Sequence, residues 1–234
     1  YSQATTIQPA SPPAPDPDVL EEAAKVLAAA KRPLLITASG GRTPDSARAV
    51  EQLAQMLGVP VVHYRPRNLA LSTEHPMQCG WDPHALLKQA DVVLVVDCDV
   101  PWIPKEGSPP ADAKVIHIGP DPLFARYPLR GFRADIALTG GVAATLQALW
   151  RCAQKHAVSP RAIDERRQAV ARLSSETRTK ARSGFEPMPA AITGKWLSAC
   201  MNRLLDANTI LVNEYPAVLE EMVIREPGRY FGNP

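Results

Sequence analysis

The sequence predicts an α/β fold. It reads as a Rossmann-like doubly wound parallel sheet of five to six strands with helices on both faces, followed by a linker helix and a partial second α/β unit. Three observations predict it. Unbroken apolar runs such as Pro33–Ala38 (PLLITA) and Asp91–Val96 (DVVLVV) read as strands buried on both faces. Stretches with apolar residues at helical spacing separate those runs. Turns rich in Gly, Pro and Asp punctuate both. Such alternation implies right-handed crossovers and ligands at the carboxyl ends of the strands.

Taken in order, residues 1–17 (YSQATTIQPASPPAPDP) form a Pro/Ala/Ser-rich linker, extended because proline fixes φ and removes donors. Asp16 caps a helix with Pro17 in its first turn, and Val19, Leu20, Ala23, Val26 and Leu27 give it an apolar stripe. The Pro33–Ala38 strand ends in the turn Ser39-Gly40-Gly41. Ala47, Val50, Leu53, Ala54 and Leu57 mark a second helix that stops at Gly58. Val59–Tyr64 is a strand, 65–81 is irregular, and Asp82-Pro83 caps a short helix running to Gln89. Strands follow at Asp91–Val96, Lys114–Ile118 and Asp135–Leu138, with a proline-rich loop over 97–112. Thr139 is expected to cap a helix from Gly140 to about His156. Ser159-Pro160 starts a helix whose arginines and acids read as a solvated, connecting face. A helix over Ala191–Leu205, a strand over Thr209–Val212 and a helix over Ala217–Arg225 then restart the pattern. One such unit cannot bury its own strand. The expected organisation is a linker over 1–17, a central α/β domain over 18–156, a charged linker helix over 157–188, and the opening of a further α/β domain over 189–234.

Composition bounds the function. The chain has 234 residues, 45% hydrophobic and 21% charged, with a net charge of +2. That balance argues against a strongly basic nucleic-acid binder. No apolar run approaches the roughly 20 residues of a membrane span. No nucleic-acid or membrane partner is therefore expected. Four cysteines lie scattered without a CxxC pair, which argues against structural zinc and a disulfide scaffold and favours the reducing cytoplasm. Of 24 prolines, seven fall between Pro101 and Pro128, so that stretch is expected to be irregular. The chain begins at Tyr1 without signal-peptide features and reads as a piece of a longer protein.

The motifs leave the chemistry open. GxGxxG, GxxxxGK[ST] and GxSxG do not occur. Ser39-Gly40-Gly41, between strand and helix, offers backbone amides to a phosphate or is a plain tight turn. Asp97 and Asp99, at i and i+2 after the third strand, suit a cation or a ribose, or simply cap the loop. Trp102, bracketed by Pro101 and Pro104, reads as a packing anchor or a stacking surface. His117 reads as a satisfied core histidine. His75 has no visible partner, and no His stands beside a Cys, Asp or Glu at ligand spacing. No metal site and no catalytic set emerges from spacing alone.

Several stretches, in order, resemble one family. Lys31-Arg32-Pro33-Leu34-Leu35-Ile36-Thr37 with Leu53-Ala54-Gln55-Met56-Leu57-Gly58-Val59-Pro60-Val61-Val62 resembles the opening of the central domain of thiamine diphosphate-dependent enzymes of the acetolactate synthase, benzoylformate decarboxylase and oxalyl-CoA decarboxylase group. Ala90–Val96 (ADVVLVV) and Ala111–Ile118 (ADAKVIHI) are similar to two later strands of that domain. Asn213-Glu214 is similar to the first strand-loop of the family's diphosphate-binding domain. The resemblance covers the chain from about Pro15 to Pro234.

The resemblance implies a three-domain parent, a thiamine diphosphate- and Mg²⁺-dependent 2-oxo acid decarboxylase or carboligase (a lyase or transferase). An N-terminal domain would bring the glutamate that activates the cofactor, and a C-terminal domain the GDG-to-Asn motif for Mg²⁺ and diphosphate. Neither is in this chain, so it is expected to carry no catalytic residue and to be inactive alone. Its partners would be those two domains, within a homodimer or homotetramer. Asn213, Glu214, Tyr215 and Pro216 would lie near the cofactor diphosphate in the full-length protein. FAD or ADP would occupy the central domain against Ser39, Gly40, Gly41, Asp97, Asp99, Gly119 and Asp121. Two departures from flavin-binding members argue against FAD. Asp97-Cys98-Asp99-Val100-Pro101-Trp102 replaces an Arg-bearing loop, and Ile118-Gly119-Pro120-Asp121-Pro122 keeps only Asp121-Pro122 of an IDIDP motif. A free-standing module for ADP, FAD or NAD, and a purely structural oligomerisation domain, are the other readings.

Overall fold

The computed structural model describes residues 8, 10–156, 159–183, 191–214 and 217–233. The first helix, α1 (Pro17–Ala29), starts because Asp16 Oδ1 accepts the amides of Asp18 and Val19 at 2.9 and 3.1 Å. It buries Leu20, Ala23, Ala24 and Leu27. Strand β1 (Pro33–Thr37) leads to α2 (Pro44–Leu57), where Thr43 and Ser46 cap reciprocally. Gly58, at φ 63°, closes α2 in the left-handed conformation that disfavours other residues. Then come β2 (Val61–His63), the single turn α3 (His84–Leu87), β3 (Val92–Val96), β4 (Lys114–Gly119), β5 (Ile136–Thr139) and α4 (Val142–Ala153).

The five strands are all parallel, in the order β2-β1-β3-β4-β5. β1, β2 and β3 are buried along their whole length, as their unbroken apolar runs require. The winding direction reverses between β1 and β3, so a crevice forms there at the carboxyl ends. Helices α1, α2 and α4 pack together as one layer. Right-handed crossovers put the connections β2–β3, β3–β4 and β4–β5 on the other face. There α3 is the helical cover, and loops supply the rest. Proline explains why: the 97–112 segment cannot sustain a helix. Trp102 supplies apolar area in its place, 2% exposed and edge-on to Phe132 at 5.2 Å between ring centroids.

Helix α5 (Pro160–Arg182) follows Ser159, whose side chain caps it. Most of this helix is exposed, as the solvated reading expects, with Val170 and Ser174 buried; in addition, four of its arginines donate to main-chain carbonyls across the molecule. Arg166 reaches Ala30 O at 3.1 Å and Arg167 reaches Gln55 O at 3.0 Å, at the carboxyl ends of α1 and α2. Those ends hold orphan carbonyls and a partial negative charge, which guanidinium groups satisfy. Arg178 and Arg182 donate to His75 O and Glu220 O, at 3.4 and 2.9 Å.

Beyond it lie α6 (Gly194–Asn202) and a parallel pair, β6 (Leu211–Asn213) and β7 (Tyr230–Gly232). The expected helix over 217–225 is reduced to one 3₁₀ turn at Leu219–Glu221. The chain then extends, because Thr73 Oγ1 donates to Met222 O and accepts from Ile224 N, both at 3.0 Å. Those bonds replace the i→i−4 ladder. Thr139 is also corrected. It ends β5 opposite Gly119, and the position before α4 is Gly141, with no side-chain cap. The limits expected at 157 and 188 lie outside the described residues. A second small core of Leu69, Leu219, Met222, Ile224 and Tyr230 joins this unit to the first.

Candidate functional site

Two places collect the residues singled out from the sequence. The first is the crevice at the carboxyl ends of β1, β3 and β4. Thr37 Oγ1 donates to Val96 O at 2.7 Å and accepts the Gly40 amide at 2.8 Å, which folds the turn back over the strands. The Ser39 amide donates to Asp97 O at 3.0 Å, so Ser39 and Asp97 do meet. Gly119 is next to them: a Cβ built there would lie 3.8 Å from Asp97 Cα. Gly41 points elsewhere. A Cβ there would overlap the Leu69 carbonyl, so this glycine admits the chain's own segment 67–70.

The two aspartates do not act as an i, i+2 pair. Asp97 leaves the strand at φ 44°, and each carboxylate takes its own cation. Arg42 pairs with Asp97 at 3.1 Å and Arg67 with Asp99 at 2.6 Å. Tyr127 also donates to Asp99 Oδ2, at 3.0 Å. Asp99 is partly desolvated, which opposes ionisation, yet Arg67 and Tyr127 outweigh this and hold its carboxyl below the usual range. Arg130 donates to the Asp99 and Cys98 carbonyls at 3.0 and 3.4 Å, with its guanidinium over the rings of Phe124 and Phe132. Asp121 turns inward to its own loop and accepts the Ala125 amide at 3.0 and 3.1 Å.

Arg42, Arg67, Tyr127 and Arg130 were missed by the sequence reading. The usable signal was Arg65-Pro66-Arg67 directly after β2, since a strand neighbouring the switch point must exit into the crevice. His117 is core-bound as expected. Its Nδ1 faces Arg130 and its Nε2 donates to Arg133 O at 3.0 Å. Burial and then Arg130 hold it at about 4. Two other histidines gain partners the sequence did not reveal. His75 accepts the Met77 amide and faces Gln55 and Glu51, and His84 Nδ1 meets Asp82 at 2.5 Å. Among the described residues, no group of three or more His, Cys, Asp or Glu is placed to hold a metal ion.

The second place is a cleft of about 480 Å³ at the carboxyl end of β6, lined by Asn213, Glu214, Arg65, Trp81, Glu220 and Asn233 among others. Asn213 Nδ2 donates to the Tyr230 hydroxyl at 3.3 Å, and Glu214 is exposed at the rim. Tyr215 and Pro216 lie outside the described residues.

The fold therefore has a switch-point crevice in one parallel sheet and a strand-end cleft in the opening of another. The family model described as the thiamine pyrophosphate enzyme, central domain, matches residues 20–149, more than half of the chain. The chain belongs to this family. The matched residues take in the five-stranded sheet with α2 and α3 and most of α1 and α4. Relatives by sequence are the sulfoacetaldehyde acetyltransferase of Castellaniella defragrans, 32% identical over 114 residues, and 2-hydroxyacyl-CoA lyase 1 of Dictyostelium discoideum, 30% identical over 113 residues. These alignments take in 44% and 46% of this chain and 19% of each relative. Solved structures carry the same fold. A thiamin diphosphate-dependent enzyme from Mycobacterium smegmatis aligns with a TM-score of 0.65 at 20% identity, over 98% of this chain and 44% of that one. The benzoylformate decarboxylase of Polynucleobacter necessarius aligns at 0.67 and 18%, over 99% and 43%. This central-domain chain thus spans under half the length of those structures and about a fifth of its curated relatives. No helix among the described residues is long and apolar enough to cross a membrane.

Proposed function

We propose that this chain is the central domain, linker helix and opening of the C-terminal domain of a thiamine diphosphate-dependent 2-oxo acid decarboxylase or carboligase of acetolactate-synthase type. The single observation that carries the reading is the central-domain match over residues 20–149, with the chain continuing into a second parallel unit. The transferase and the lyase among its relatives support the reaction class.

Thiamine diphosphate supplies the carbon nucleophile and electron sink for making or breaking a bond beside a carbonyl. The residues here fit one edge of a site for it. Asn213 is held by Tyr230, and Glu214 faces the cleft at the carboxyl end of a parallel strand, where such ligands bind. The activating glutamate, the Mg²⁺ ligands and most diphosphate donors would come from the flanking domains, in a cytoplasmic homodimer or homotetramer. The chain alone is therefore inactive. What its own residues do is positional. Arg166, Arg167 and Arg182 tie the linker helix to both units, which fixes the cleft relative to the central sheet.

Calorimetric titration with thiamine diphosphate and Mg²⁺ tests this. The full-length protein should bind both together, and the 234-residue chain should show no heat of binding. Full-affinity binding by the chain alone would contradict the assignment. The purely structural reading of the central domain gains support from the state of its crevice.

A further inference from the structure

We propose that the switch-point crevice of this central domain is sealed by the chain itself and takes no FAD, ADP or NAD. The inference rests on the family reading, which makes a dinucleotide or nucleoside diphosphate the ligand to consider there. Such a ligand needs three things at this place: free amides at the helix N-terminus after β1, room beside the glycine turn, and a carboxylate free for a ribose.

Each of the three is restricted by the chain itself. The amides of Ser39, Gly40, Arg42 and Thr43 donate to Asp97 O, Thr37 Oγ1, Ser39 O and Ser46 Oγ, which leaves only those of Gly41 and Asp45, and Gly41 lies against the Leu69 carbonyl. The N-terminus of α2 is closed by its own Thr43–Ser46 box, so an anion would have to displace a formed cap. The room beside Gly41 is filled by the backbone of Leu69 and Ala70. That segment is pinned from three sides. Ala38 O accepts the Arg67 and Asn68 amides at 2.8 and 3.1 Å, His63 Nε2 accepts the Ala70 amide at 2.9 Å, and Gly232 N donates to Arg67 O at 2.9 Å. Gly232 itself sits so close to Pro66 O that any side chain there would collide. The second unit thus clamps the plug in place. Asp99 is committed to Arg67 and Tyr127, and Asp97 to Arg42. Ser39 Oγ has no partner, but at 1% exposure the residue lies under the turn and offers no entry.

The sealed crevice turns a ligand site into a joint. Residues 66–70 join the central sheet to the β6–β7 unit.

The test is a titration of the full-length protein, and of the 234-residue chain, with ADP, NAD and FAD separately. Melting temperature and, for FAD, fluorescence anisotropy are followed. A ligand specific for the native state must raise the melting temperature. The expected result is no saturable change with any of the three. Saturable binding that Arg42→Ala or Asp97→Ala weakens by about tenfold or more overturns the proposal. Binding indifferent to both substitutions lies outside the crevice and supports the seal. Thiamine diphosphate affinity is read separately, so failure of the seal is distinct from failure of the family-based function.

Discussion

Arg67 Nη2 lies 2.6 Å from Asp99 Oδ2, joining the exit of β2 to the exit of β3 across β1. Both side chains are mostly buried, at 23% and 13% exposure, so the pair is poorly screened by solvent. Asp99→Ala would leave Arg67 desolvated without its partner and cost about 2 kcal/mol, within the range for breaking a partly buried pair. Arg67→Ala should cost a similar amount, and the double variant less than the sum. Urea denaturation of the four proteins checks this. Strict additivity would show that the contact carries no coupling.

Gly41 and Gly119 border the same crevice but differ in what a methyl group meets. Gly41→Ala drives Cβ into the Leu69 carbonyl, which is pinned backbone and cannot yield. It should cost about 3 kcal/mol or more, at the upper end for overpacking. Gly119→Ala finds Asp97 Cα at 3.8 Å, an ordinary contact, and should cost less than about 1 kcal/mol. Chemical denaturation of the two variants ranks them, and equal stability would refute the packing argument.

How far the sequence reveals this molecule follows from where its information lies. The strands were legible because burial on both faces leaves Val/Ile/Leu runs with few alternatives. The starts of α1 and α5 and the stop of α2 were legible because Asp16, Ser159 and Gly58 act within their own turn. The failures are tertiary. Nothing local tells that Thr73 will pull Met222–Ile224 out of a helix, or that Arg166 and Arg167 will bend inward to carbonyls of α1 and α2. The crevice residues split the same way. Ser39, Asp97 and Gly119 follow from strand ends, whereas Arg67 and Tyr127 arrive from loops whose paths only packing decides.

Acid should loosen the plug. His63 is fully buried, its Nδ1 meets Gln78 Oε1 at 2.9 Å, and its Nε2 accepts the Ala70 amide. Burial holds it at about 4, against an ordinary value of 6.5. The unfolded chain therefore binds the proton first, and stability rises with pH across that window. On lowering pH from 7 to 5, His63 alone should remove about 2 kcal/mol, with His117 adding to the loss. Urea midpoints at the two pH values measure the change, and His63→Gln should flatten it. A pH-independent midpoint would contradict the buried neutral assignment.

The four cysteines should divide by burial. Cys79 and Cys98 are buried, and burial pushes both thiols up to about 12. Thiolate is the reactive form, so both should resist a disulfide reagent until the protein unfolds. Cys152 and Cys200 are partly exposed and should react in the native state. Timed titration of native and urea-unfolded protein counts the two classes. Four fast thiols in the native protein would contradict the core.

The central claim is that this chain serves a thiamine diphosphate-dependent enzyme and has no chemistry of its own. The most direct measurement is decarboxylation of a panel of 2-oxo acids by the full-length protein and by the 234-residue chain, each with and without thiamine diphosphate and Mg²⁺. The account predicts turnover by the full-length protein only when the cofactor is supplied, and none by the chain under any condition. Turnover by the full-length protein after complete removal of thiamine diphosphate, or by the chain alone, would contradict it.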